Sequence, residues 1–168
     1  GSRPVPAALA GAGVGGGDSV LLLAGRKDDY LVGYYGALGA GAVVVPAGEI
    51  IGLEQIVEIA QRVKPRALLV GELERRRLAL DLDTFEGVPV MALDRARATP
   101  ASGWPRPVEL DALAQIMFTS GTTARRKGVQ LTHRNLMQAS QNIALFMGMH
   151  SGMREYITEF MSEQAIGD

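Results

Sequence analysis

The sequence contains no cysteine. That absence excludes disulfides, thiolate metal centres and a cysteine nucleophile, and it suits a reducing compartment such as the cytoplasm. Histidine is scarce too: His133 and His150 are the two present, and they lack metal-ligand spacing. No excess of either charge exists. Seventeen Lys and Arg against eighteen Asp and Glu leave a net charge of −1, so no global field draws in nucleic acid. No apolar run reaches membrane-spanning length and no secretory leader is evident. What is present is a chain of 168 residues, 47% hydrophobic and 21% charged, which predicts one globular domain with a real core. Its 21 glycines suit a succession of strand–helix turns.

Residues 1–17 are rich in Gly, Ala and Pro and read as a flexible entry. Within them Gly11, Gly13 and Gly16 match a dinucleotide-binding Gly-x-Gly-x-x-Gly pattern, but the match precedes the strand at 20–23 instead of following one, so it is rejected. A helix capped by Asp28 or Asp29 is expected through about Gly39, with Tyr30, Leu31, Tyr34, Tyr35 and Leu38 as its buried face. A β run at 42–46 ends on Pro46. An amphipathic helix over 53–63 stops at Lys64-Pro65, and a strand covers 66–70. Arg75, Arg76 and Arg77 beside Glu72 and Glu74 read as a solvated helix face, not a nucleic-acid patch. A fourth strand covers 88–91. Residues 92–107 hold three prolines and read as a surface linker, where Trp104 packs over the core edge. Strands alternating with helices predict an α/β fold: a doubly wound, mostly parallel sheet with helices on both faces.

Residues 113–135 carry the chemistry. An apolar run at 114–118 suits a buried strand. It leads into Thr119, Ser120, Gly121, Thr122 and Thr123, followed by Arg125, Arg126 and Lys127. Residues 128–131 form a second short strand, and Thr132 caps a helix through Met147. Hydroxyls, close-approaching backbone at glycine and a mobile ammonium are what a phosphate site requires. A solvated hairpin turn has the same composition. Ligands of parallel sheets bind beyond the carboxyl ends of the strands, where this loop emerges. His133 is read as a capping or structural residue.

The order of these residues is more specific than their composition. Thr119-Ser120-Gly121-Thr122-Thr123, Lys127-Gly128-Val129 and Thr132-His133-Arg134-Asn135-Leu136 resemble the signature loop of the adenylate-forming superfamily, which includes acyl-CoA synthetases, peptide-synthetase adenylation domains and luciferases. The segments at 17–23 and 38–46 resemble further parts of that fold. The resemblance covers about residues 17–150, within a partial N-terminal α/β domain at 18–150, and implies an AMP-forming ligase. A carboxylate is activated by ATP with Mg²⁺, and the acyl group commonly passes to the thiol of coenzyme A or a carrier protein. It further implies that Thr119, Ser120, Thr122 and Thr123 cradle phosphate, that Gly121 and Gly128 permit close approach, and that Lys127 neutralises charge. No catalytic residue and no metal ligand is assigned.

Two positions depart from the family pattern: Ala124 stands where glycine is usual, and Arg126 where proline is. The first removes access to positive φ; the second loosens the free loop. Residues 151–168 fit an amphipathic helix or the start of a strand, and form an atypical tail. The expectation is a segment carrying the phosphate loop but incomplete for catalysis. The rival expectation is a non-catalytic α/β interaction module that self-associates through apolar surface.

Overall fold

The computed structural model describes residues 4–47, 52–79, 84–85, 87–93, 105–119 and 127–150. The chain forms two compact units, residues 1–136 and 137–168. The first is built on a seven-stranded sheet, which places β1 (Ser19–Leu23) beside β2 (Val43–Ala47) on one flank and β3 (Ala67–Val70) on the other. The short β4 (Thr84–Phe85) and β5 (Val88–Ala92) continue past β3; β6 (Leu113–Thr119) and β7 (Lys127–Thr132) continue past β2. The full order is β4-β5-β3-β1-β2-β6-β7. Pairing is parallel from β5 through to β6 and antiparallel at both edges.

The reversal of direction after β1 puts helices on both faces. The chain steps from β1 to its neighbour β2 through α2 (Lys27–Gly39), then back past β1 to β3 through α3 (Leu53–Val63). Right-handed crossovers running in opposite directions lie on opposite faces. Alternate residues of β1 therefore serve two cores. Val20 and Leu22 meet Ala37 and Ala40 of the α2 layer, whereas Leu21 and Leu23 meet Ile56 and Ile59 of α3. Apolar side chains on both faces produce the unbroken Val/Leu runs of β1, β2 and β3.

Several expectations are corrected. Residues 1–17 contain α1 (Val5–Gly11), whose Val5 and Leu9 are buried in the first core. In α2 the N-cap is Arg26, without a side-chain cap bond; Asp28 lies in the first turn and pairs with the Arg26 guanidinium. Of the face expected for α2, Tyr30, Tyr34 and Leu38 pack half-buried against the first core, but the deepest contacts are made by small residues. Gly33, Gly36, Ala37 and Gly39 are buried, while Leu31 and Tyr35 are exposed. The reason is distance: a Cβ on Gly33 would lie 2.6 Å from Leu22 Cδ1, and one on Gly36 would lie 2.7 Å from Val5 Cβ. Glycine lets α2 sit tightly against β1 and α1 at once.

Pro46 lies inside β2 instead of ending it. Lys64 does end α3, adopting left-handed φ 46°, ψ 62° just before Pro65. In α4 (Glu72–Leu78) the three arginines are not on a wholly solvated face, because Glu74 is buried. The strand β6 is deeply buried only at Ala114 and Gln115; Met117 is 45% exposed. The last helix, α5 (His133–Phe146), begins in the first unit and continues into the second, where its end is closed by the Met147 N–H on the Ile143 carbonyl. Among the described residues, no helix is long and apolar enough to cross a membrane. The tail at 151–168, Trp104 and most of the linker lie outside the described residues.

Candidate phosphate-binding hairpin

The candidate site grows from β6, the last parallel strand. Val44 of β2 pairs with Gln115, so β6 shares its direction with β1, β2 and β3 and ends at the same edge of the sheet. β7 returns antiparallel, with Phe118 opposite Gly128 and Thr119 opposite Lys127. The Thr119 hydroxyl and the Lys127 ammonium thus stand at the two sides of one loop mouth, both on exposed residues, with residues 120–126 between them. Ser120, Gly121, Thr122, Thr123, Ala124 and Arg126 lie outside the described residues.

Gly128 has a place of its own in the hairpin. A Cβ there would lie 3.4 Å from Ile116 Cγ2 and from Phe118 Cε1 and Cζ, so Gly128 sits against the Phe118 ring across the ladder at ordinary contact distance. The Arg62 guanidinium of α3 stacks over that ring, 4.9 Å from its centroid. The hairpin is therefore braced from beneath just one residue before the loop.

Two further supports hold the hairpin, the first of them not read from the sequence. On β6, Gln115 is buried and accepts a hydrogen bond from the Tyr34 hydroxyl of α2. Burial pushes the Tyr34 phenol up to about 12, with Tyr30 and Tyr35 adding to the effect, so it remains a donor at all ordinary pH. Tyr30 stacks on Tyr34 at 5.6 Å and Tyr35 meets it edge-on at 5.4 Å. A lone glutamine inside an apolar strand was the available signal.

The second support closes the base of the hairpin. The Thr132 N–H donates to Asn135 Oδ1 at 3.0 Å, while the Asn135 N–H donates to Thr132 Oγ1 at 3.2 Å, a reciprocal cap at the start of α5. Thr132 is the cap expected from its position. The His133 N–H donates to the Ala112 carbonyl, and the Arg134 N–H to the Leu110 carbonyl. Arg134 also grips Asp111 with two bonds of 2.7 and 2.9 Å. The Arg134 guanidinium holds the Asp111 carboxyl below its ordinary range, and Asp111 raises Arg134 in return. Partial burial lowers His133 below its ordinary value, which suits an uncharged structural imidazole.

The donor set at the mouth, a hydroxyl and an ammonium, suits an anion with several oxygens. It does not suit a bare divalent cation: residues 119–128 contain no Asp or Glu. Mg²⁺ reaching this loop would have to arrive on the phosphates themselves, and no step is assigned to it.

The AMP-binding enzyme family profile matches residues 3–160. The chain is 34% identical over 135 residues to phenyloxazoline synthase MbtB of Mycobacterium tuberculosis, covering 77% of this chain and 9% of that protein. It is 32% identical over 151 residues to feruloyl-CoA synthase of an Amycolatopsis species, covering 89% of this chain and 30% of that protein. Its fold superposes on a fatty acyl-adenylate ligase from L. pneumophila, solved with acyl adenylate and pyrophosphate. There the TM-score is 0.72 at 27% identity, with 87% of this chain and 26% of that one covered. The chain thus spans less than a third of the length of each of these relatives.

Proposed function

The chain belongs to the AMP-binding enzyme family, and from that premise we propose that its β6–β7 hairpin holds the phosphates of ATP while a carboxylate is activated. In this reaction a carboxylate oxygen attacks the α-phosphorus. A new P–O bond gives the acyl-adenylate, and the bond from the α-phosphorus to the bridging oxygen breaks, releasing pyrophosphate. The thiol of coenzyme A or of a carrier protein then takes the acyl group, and AMP leaves.

The residues of this chain serve the leaving side of that exchange. Negative charge moves toward the β- and γ-phosphates as the bond breaks, and donors already aimed there stabilise it without reorganising. Lys127 supplies a full charge; Thr119, Ser120, Thr122 and Thr123 supply hydroxyls; Gly121 leaves the backbone open to the anion. The observation that carries this reading is the register of Thr119 against Lys127, which sets hydroxyl and ammonium across one loop mouth at the carboxyl edge of the sheet. The Legionella ligase, of like fold, was solved with the two products of such a step. Tyr34, Gln115 and Arg62 hold the strand beneath the loop and touch no reacting atom.

Calorimetric titration of the chain with ATP·Mg²⁺ tests the proposal. Saturable binding is expected, weakened about tenfold or more in Lys127→Ala, since a charge-assisted hydrogen bond contributes roughly 1.5–3 kcal/mol. Binding indifferent to Lys127 would refute it and favour an interaction module.

A further inference from the structure

The last helix carries an apolar surface that the phosphate hairpin does not use. No residue of α5 is buried. Ala139, Ile143, Phe146 and Met147 fall at i, i+4, i+7 and i+8, which sets them on one face, with Ser140 at its margin. The Met147 N–H on the Ile143 carbonyl carries this line one residue past the end of the helix. Phe146 is 93% exposed, Ile143 56% and Met147 50%. Gln138, Gln141 and Asn142 lie on the opposite face, where Leu145 is the one large apolar residue. An apolar stripe left in water gains free energy from any contact that covers it.

Two properties of the stripe say what covers it. The first is charge. Residues 135–153 contain no Asp, Glu, Lys or Arg. A face laid against its own copy therefore brings no like charges together, and no charge asks for an opposite one on a different partner. The second is shape. The small residues Ala139 and Ser140 stand at one end of the stripe, the bulky Phe146 and Met147 at the other, and Ile143 between them. In a two-fold pair residue i meets j while j meets i. A two-fold axis at Ile143 sets each Phe146 against Ser140 of the other copy, and each Met147 against its Ala139. Knobs then meet holes twice over. A parallel pair would set ring against ring and leave the small ends apart.

We infer that α5 docks on α5 of a second copy of this chain, antiparallel, with Ile143 at the two-fold axis. A 14-residue helix is about 21 Å long, so one helix pair lies at the small end of specific interfaces. The dimer is accordingly weak and forms with rising concentration. The inference does not rest on ATP binding, and Lys127 has no part in it.

Sedimentation of the full chain over a wide concentration range, with cysteine crosslinking beside it, is the test. The native chain should pass from monomer to dimer, and Lys127→Ala should do the same. Phe146→Asp should weaken the dimer about tenfold or more, since the pairing would bury an unpaired carboxylate. Phe146 is so exposed that this substitution removes little contact within the chain. The native chain has no cysteine, so one introduced thiol can pair only with its own copy. Ile143→Cys should form a disulfide-linked dimer on mild oxidation, because residues on the axis meet within the span of about 4.4–6.8 Å between Cα atoms that a disulfide needs. Ala139→Cys should not, because the two copies of position 139 lie about 12 Å apart along the pair. A native chain that stays monomeric, a Phe146→Asp chain that dimerises as well as the native one, or equal crosslinking at 139 and 143 overturns the proposal. Binding to phosphatidylcholine vesicles in place of self-association overturns it too.

Discussion

The middle of the sheet and its hairpin edge are built to opposite rules. In β1 every residue after Ser19 is buried, and in β3 all four are. In β7 four consecutive residues, 127–130, are exposed. The central strands gain their order from apolar contact on both faces, so each side chain there is a matter of volume. The hairpin gains its order from discrete ties: the Tyr34–Gln115 bond, the Arg62–Phe118 stack, the Thr132–Asn135 cap and the Asp111–Arg134 pair. Under the proposed function the loop receives a charged ligand and stays open to it, with its supports on the strands and helices behind.

This contrast can be broken or sharpened by substitution. The largest effect belongs to the centre. Leu22→Ala should cost about 2–5 kcal/mol in urea unfolding, whereas Val129→Ala on the exposed strand should stay within about 0.5 kcal/mol. Equal losses would erase the distinction. Gly36→Ala comes next. Helix propensity alone favours alanine by about 1 kcal/mol, yet the clash with the Val5 Cβ should give a net loss of about 1–3 kcal/mol. A gain in stability would show that α1 gives way easily.

Thr132→Ala tests the ties of the edge. Loss of the cap should cost about 1 kcal/mol, with the far-UV signal of the remaining helices retained. The smallest effect is in acid. The bonds from Arg75 and Arg76 lower the Glu72 carboxyl from 4.5 to about 2 in the folded chain. A depressed carboxyl contributes stability that is complete above its unfolded value and fades as pH falls through the folded one. Glu72→Gln should therefore flatten the dependence of Tm on pH between about 4.5 and 2, and leave its slope near neutrality unchanged. An unaltered acid slope would show the pair to be solvated and slack.

Much of the central sheet was legible because its strands are apolar runs bounded by glycine, proline or charge. The runs at 20–23, 66–70 and 88–91 were placed within a residue or so, and α3 was placed residue for residue by its periodicity. What escaped depended on size or on distant partners. The first helix hides two buried anchors, Val5 and Leu9, among Gly, Ala and Pro. The apolar face of α2 was legible at Tyr30, Tyr34 and Leu38 but not at Leu31 and Tyr35, which are exposed, and the closest contact with β1 demands glycine. Glu74 looked solvated because its neighbours are arginines, and only the fold turns it inward. At the hairpin, composition alone supported an anion loop or a bare turn. The order of Thr119 to Thr123, Lys127 and the Thr132–Leu136 segment carried the family, and the pairing of Thr119 with Lys127 became visible only in the ladder.

The central claim is that this exposed hairpin receives the phosphates of ATP. Titration of ATP·Mg²⁺ into native chain, Lys127→Ala and Glu74→Gln in parallel tests it most directly. Loss of about tenfold or more in affinity confined to Lys127→Ala, with Tm unchanged, is the predicted result. Equal affinity of native chain and Lys127→Ala, or a loss confined to Glu74→Gln, would contradict it.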